Sequence, residues 1–291
     1  MKTIIVPIDF SAESLNGLNL ALMLAEKTDA HIQMIYVMVR NDHSSDEAVQ
    51  KEQQLATLKF KDIIKNYKEK GVLKTELNFV IKEGKVFKEV AAFAETFEDA
   101  MTVLSTHGDS GFEELFIGGN AYKLTSHSKN PVITVRRSKT VSNINTIVMP
   151  LDVTFQTREK VPYTVNLAKK FNSTIHLVTV TTTGSSSIEE KLHQYTEQVV
   201  QYINYENVPC IITHLQGENL TDITLDYART IDADLISIMT EQEKSLSNLL
   251  LGSYAHQMIN KAFIPVLSFP NYHLRITTDD IWTLGAFNPR S

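Results

Sequence analysis

Ile5-Val6-Pro7-Ile8-Asp9 returns 143 residues later as Val148-Met149-Pro150-Leu151-Asp152. Each run is short, apolar and closed by an aspartate, which reads as a buried β-strand ending in a charged turn. The same offset aligns Leu24-Ala25 with Leu167-Ala168, Ile32 with Ile175 and Val37 with Val180. Further along, Gly84 matches Gly217, and Gly118, Ala121, Pro131 and Val132 match Gly252, Ala255, Pro265 and Val266. The later offset is shorter by about ten residues, lost between Val180 and Gly217. A period near 140 residues means a duplicated domain, since solenoid repeats run ~20–50 residues.

Outward from the first strand, Ser11 is placed to N-cap a helix with Leu15, Leu18, Leu22 and Ala25 on one face. Ile32–Val37 reads as a second buried strand. Ala56, Phe60, Ile63, Ile64 and Tyr67 mark an amphipathic helix whose other face carries Lys59, Lys61, Lys65, Lys68 and Lys70 toward solvent. Leu77, Phe79 and Ile81 alternate as a strand, and Val86, Val90, Phe93, Ala94 and Phe97 recur as a helix. Met101–Leu104 and Val132–Val135 complete five strands, with a short helix near Gly118–His127 between them. In the second copy, Ile188, Leu192, Tyr195, Val199 and Tyr202 line the second helix. Strands alternating with helices imply βαβ units. The predicted fold class is α/β: two duplicated, doubly wound domains, each a five-stranded, mainly parallel sheet flanked by helices.

Arg136–Asn143 is polar and aperiodic and reads as a linker. Residues 270–291 lie past the last strand of the second copy and read as a tail; its Trp282 favours a docked arm.

The 291 residues are 43% hydrophobic, enough for a sizeable core, and carry 28 Lys+Arg against 34 Asp+Glu. Residues 1–140 hold 18 basic and 19 acidic side chains, and residues 141–291 hold 10 and 15. Neither half has the basic excess of a nucleic-acid binder. Cys210 is the single cysteine, so no intrachain disulfide or Cys-x-x-Cys site forms. The nine histidines show no His-x-His or His-Glu-x-x-His spacing, so no metal is required by any visible motif. No apolar stretch approaches the ~18 residues of a membrane span. A soluble cytoplasmic protein is expected.

In a doubly wound sheet the ligand crevice lies beyond the carboxyl ends of the strands, where strand order reverses. The first strand ends at Pro7-Ile8-Asp9 and the fourth at Leu104-Ser105-Thr106-His107-Gly108. A charged Asp9 closing a buried strand needs a partner. Ribose hydroxyls would serve, and so would the N–H groups of its own turn. Gly108-Asp109-Ser110-Gly111 and Gly118-Gly119-Asn120-Ala121 would let backbone N–H groups approach an anion. A helix opening near Gly119 would aim its positive end at the same anion. The other reading is an ordinary glycine turn with a helix cap. His107 would either contact a phosphate or pack the loop. Gly-Asp-Ser-Gly also begins the trypsin nucleophile motif, but Phe112-Glu113 follow and the chain is α/β, so Ser110 is not read as catalytic.

Together these residues resemble the universal stress protein family, over about residues 1–137 and 144–269. The family motif is Gly-x2-Gly-x9-Gly-(Ser/Thr) after the fourth strand. Gly108 and Gly118 supply its second and third glycines, Ser105 replaces the first, and Gly119-Asn120 replace the final Ser/Thr. In ATP-binding members an aspartate after strand one borders the ribose, a valine of strand two borders adenine, and the glycine motif holds phosphates. By position the resemblance implies a site of Pro7, Asp9, Val37, Ser105, Thr106, His107, Gly108, Gly118, Gly119, Asn120 and Ala121, taking ATP, ADP or AMP. Ser105 is expected to put a Cβ where backbone approaches the ligand, and Gly119 to remove a hydroxyl from the phosphates. The resemblance further implies pairing of Val132–Val135 with Val266–Phe269 inside one chain, and is compatible with a homodimer.

The second copy keeps Asp152, Val180 and Gly252-Ser253 but has Met239-Thr240-Glu241-Gln242-Glu243 in place of the loop. Its two glutamates would repel phosphate, and the segment reads otherwise as a solvated acidic turn. The leading functional reading is therefore a regulatory adenine-nucleotide binder with its site in the first copy, not an enzyme. The rivals are a nucleotide-free protein acting through protein–protein contacts, and a slow ATP hydrolase, for which no general base stands out.

Overall fold

The computed structural model describes residues 1–39, 45–71, 74–106, 119–136, 141–181, 186–240, 242–244, 249–251 and 253–270. The chain divides into two units, Met1–Ser142 and Asn143–Ser291.

The first unit runs β1 (Thr3–Pro7), α1 (Ala12–Thr28), β2 (His31–Met38), α2 (Asp46–Glu69), β3 (Leu77–Glu83), α3 (Val86–Glu95), β4 (Ala100–Thr106), α4 (Gly119–His127) and β5 (Val132–Arg136). Its sheet has the order β3-β2-β1-β4-β5 and is parallel throughout. Ile4, Ile5 and Val6 of β1 are fully buried, a continuous run that only a strand covered on both faces can hold. Strand order reverses between β1 and β4, which opens the crevice expected there. The fourth strand is longer than the reading Met101–Leu104: Ser105 and Thr106 pair with Val135 and Arg136 and belong to the ladder.

Ser11 caps α1 as expected, its hydroxyl accepting from the Ser14 N–H, worth about 1 kcal/mol. The helix ends at Asp29 in the left-handed conformation. Leu20 and Leu24 are buried beyond the single stripe read from the sequence, and Leu15 is only half-buried. Tyr67 of α2 donates to Asn19 of α1 at 2.6 Å. On the other face of the sheet, Ile5, Ile35 and Val37 pack with Val90 and Ala94 of α3 and with Ala121 and Leu124 of α4.

The second unit runs β6 (Thr146–Leu151), a 3₁₀ turn (Phe155–Arg158), α5 (Val161–Phe171), β7 (Thr174–Thr181), α6 (Ser186–Tyr205), β8 (Cys210–Gln216), α7 (Leu220–Thr230), β9 (Leu235–Thr240), β10 (Gln242–Lys244), β11 (Leu249–Leu251), α8 (Ser253–Lys261) and β12 (Val266–Pro270). The parallel order β12-β9-β6-β7-β8 repeats that of the first unit. Two departures matter. The helix equivalent to α1 is broken: Pro162 sits in the first turn of α5, lacks an N–H for the carbonyl four residues back, and leaves residues 155–158 as 3₁₀. Of the segment read as an acidic turn, Met239 and Thr240 end β9, Glu241 lies outside the described residues, and Gln242–Lys244 pair antiparallel with Leu249–Leu251. Pro270, read as the start of the tail, ends β12, and residues 271–291, with Trp282, lie outside the described residues. Among the described residues no helix is long and apolar enough to cross a membrane.

Candidate functional site

A crevice of about 340 Å³ opens at the carboxyl ends of β1 and β4. That volume falls within the ~300–1,000 Å³ of small-molecule pockets. The turn from β1 to α1 supplies Pro7, Ile8, Asp9, Ser11, Glu13 and Ser14; β2 supplies Ile35, Tyr36 and Val37. Leu104, Ser105 and Thr106 come from β4, and Val86, Phe87, Val90, Ala121 and Leu124 close the apolar side from α3 and α4.

Asp9 braces its own turn. Its Oδ1 accepts from the Ser11 N–H at 2.9 Å and the Ser11 hydroxyl at 2.5 Å, while its N–H donates to the Ser14 hydroxyl at 3.4 Å. Partial burial would raise its pKa, but the hydrogen bonds from Ser11 and Ser14 outweigh that and hold it below the usual carboxylate value. The turn passes through Phe10 at φ 67, a conformation rare for a bulky residue. Phe10 is held there by the rings of Tyr36 and Phe60, with centroids 5.1 and 5.0 Å away, and by the Lys59 ammonium at 4.8 Å. Tyr36 donates to Glu52 at 2.7 Å, and burial together with that carboxylate pushes its phenol up to about 12.

Of the residues singled out in the sequence, Pro7, Asp9, Val37, Ser105, Thr106 and Ala121 line this one crevice. Gly119 and Asn120 are the first two residues of α4. His107, Gly108 and Gly118 lie outside the described residues. Ser105 lines the crevice beside Leu104 and Thr106. Its hydroxyl donates to the Val135 carbonyl at 3.1 Å. A Cβ built on Gly17 of α1 would lie 3.7 Å from the Ser105 Cβ, so that side chain leans toward α1, opposite the Leu104 face. Ser11, Ser14, Val86, Phe87 and Leu124 were not singled out as site residues. The repeat carried a signal for the first two, because Thr154 and Thr157 stand 143 residues later.

The model of the universal stress protein family matches residues 1–136 and again 143–270. The chain belongs to the universal stress protein family. It is 27% identical over 148 residues to a universal stress protein of Methanocaldococcus jannaschii, an alignment covering 47% of this chain and 84% of that one. Among solved structures it resembles a universal stress protein from Archaeoglobus fulgidus, with a TM-score of 0.76 at 16% identity, covering 93% of this chain and 98% of that one. A second likeness is a putative universal stress protein from Pseudomonas aeruginosa, with a TM-score of 0.68 at 17% identity and 93% of both chains covered. At these identities the structures speak for the fold.

The second universal stress protein domain repeats the three hydrogen bonds of Asp9, without the left-handed residue that follows it or the side-chain helix cap. Asp152 Oδ1 accepts from the Thr154 N–H at 2.7 Å and its hydroxyl at 2.5 Å, and the Asp152 N–H donates to the Thr157 hydroxyl at 3.2 Å. Its crevice holds only about 50 Å³. The equivalent of Ser105 is Met239, buried on the wall, and the equivalent of Gly17 is Lys160, whose side chain also lines the cavity. Among the described residues no group of three or more His, Cys, Asp or Glu is placed to hold a metal ion.

Proposed function

We propose that the first domain binds an adenine nucleotide and that the chain is a nucleotide-responsive regulatory protein. The observation that carries this reading is the 340 Å³ crevice at the β1/β4 reversal, with Val37 and an apolar wall on one side and Asp9 on the other. The base enters between Val37 and the α3–α4 wall, the ribose meets Asp9, and the phosphates lie toward Ser105, Thr106 and the start of α4. Asp9 and Glu13 line the crevice, and no lysine or arginine does among the described lining residues. Each added phosphate charge is therefore disfavoured, so AMP should bind more tightly than ATP. The lowered pKa of Asp9 makes it a poor general base, which supports a regulatory role over ATP hydrolysis.

Isothermal titration of the full chain with AMP, ADP and ATP tests the proposal. One equivalent of AMP should bind, and Val37→Phe, which fills the apolar wall, should abolish it while leaving the fold intact. Absence of heat for all three nucleotides would leave the crevice without this role.

A further inference from the structure

Lys160 is a lysine sealed in the interior, 1% exposed. Its Nζ donates to the Thr157 carbonyl at 2.6 Å and to the Thr157 hydroxyl at 3.1 Å. Among the described residues no ion pair ties it to a carboxylate; Asp152 acts on it only through its charge. A buried ammonium with neutral hydrogen-bond partners is expensive, because its solvation is lost and no direct ion pair replaces it. The same side chain lines the 50 Å³ cavity of the second domain, together with Asp152, Thr154, Thr157, Met239 and Tyr254. The cavity is several times the ~10–15 Å³ that admits one water. It is far below the ~300 Å³ at which pockets for nucleoside-sized ligands begin.

We propose that this cavity is a binding site for free inorganic phosphate, held by the Lys160 ammonium and the Thr157 hydroxyl. The Thr157 oxygen already accepts from Lys160 and from the Asp152 N–H, so its own hydrogen is available for an anion. Asp152 selects which oxyanion enters. Its Oδ1 is taken by Thr154, and its Oδ2 receives no hydrogen bond from the described residues. A phosphate that retains a proton donates it to Oδ2, whereas fully ionised sulfate meets the carboxylate with charge alone. The site is independent of nucleotide binding in the first domain. Duplication left one crevice roomy and acidic, and shrank the other around a cation.

The test is phosphate titration of the full chain, freed of phosphate beforehand, read by calorimetry and by the side-chain NMR signal of Lys160. The expected result is one equivalent bound with a Kd below about 1 mM, a Lys160 signal that moves on saturation, and sulfate at least about tenfold weaker. Lys160→Met keeps the stem volume and removes the buried charge. It should stay folded and lose at least about tenfold in phosphate affinity. An unmoved Lys160 signal up to about 10 mM phosphate overturns the proposal without any variant. Equal phosphate and sulfate binding that survives in Lys160→Met marks an adventitious ion and also overturns it. AMP moving the Lys160 signal as phosphate does would assign the cavity to a nucleotide instead.

Discussion

Lys160 occupies in the second domain the position that Gly17 holds in the first. A Cβ built on Gly17 would stand 3.2 Å from the Ser105 backbone nitrogen, so α1 lies against β4 at a distance that a side chain would disturb. In the second domain a full lysine stands there, between a 3₁₀ turn at residues 155–158 and Pro162 in the first turn of α5, where the first domain has an unbroken helix.

That contrast fixes the outcome of two substitutions. Gly17→Ala gains up to about 1 kcal/mol of helix propensity and must push β4 backbone by a few tenths of an ångström, so it should fall within about 1 kcal/mol of wild type. Gly17→Lys has no broken turn to enter and should cost about 2–3 kcal/mol by overpacking. Urea unfolding followed by circular dichroism measures both. Equal stability of the two variants would show that the approach of α1 to β4 is not tight.

The buried Lys160 makes the second domain's stability depend on pH. Burial lowers its pKa to about 8, with Asp152 opposing that shift. The unfolded chain, near the ordinary lysine value of about 10.4, binds more protons between those two pH values, so stability rises with pH across that window. The penalty is fully present below pH 8 and is on the order of 3 kcal/mol. In phosphate-free buffer Lys160→Met should therefore be more stable than wild type at pH 7, and the gap should close toward pH 10. A gap that does not change over this range would mean that Lys160 is not titrating in the folded state.

Asp9 carries the opposite sign. Its folded pKa lies below the unfolded carboxylate value through the bonds from Ser11 and Ser14, so its contribution is present above about pH 4 and disappears as pH falls through the folded value. Asp9→Asn keeps an acceptor for Ser11 but does not titrate. Acid unfolding of this variant should start from lower stability and show a shallower slope below pH 4. Identical acid profiles would remove Asp9 from the turn's energetics.

The repeat of Ile5–Asp9 in Val148–Asp152 was enough to read two α/β domains, because buried parallel strands are written as unbroken apolar runs. The crevice was legible at Pro7, Asp9 and Val37 for the same reason: each lies at or near the end of such a run. The two possible roles of Asp9 were not separable in sequence, since a brace for Ser11 and a ribose acceptor need the same carboxylate. The apolar wall from Val86, Phe87 and Leu124 was hidden, because one helix face serves both core and crevice. Lys160 was invisible as a cavity residue. Its burial follows from a helix broken by Pro162, and the alignment of Gly17 with Lys160 by itself gives no direction to the side chain.

Ser105 is where sequence and structure give opposite forecasts. As a replacement for a motif glycine, it suggested that Ser105→Gly would tighten nucleotide binding. The structure aims its side chain at α1 and engages its hydroxyl with Val135 of the neighbouring strand. Removing that hydroxyl should cost about 1 kcal/mol, and a glycine inside β4 adds about 0.5–1 kcal/mol of backbone entropy. Although Ser105 lines the crevice, its hydroxyl is already engaged by the Val135 carbonyl, so AMP and ATP affinities should change by less than about threefold, equivalent to about 0.65 kcal/mol. Calorimetric titration alongside urea unfolding separates the two forecasts. A tenfold gain in ATP affinity at unchanged stability would mean that the Ser105 Cβ does face the phosphates, and would reverse the assignment of that side chain to the α1 face.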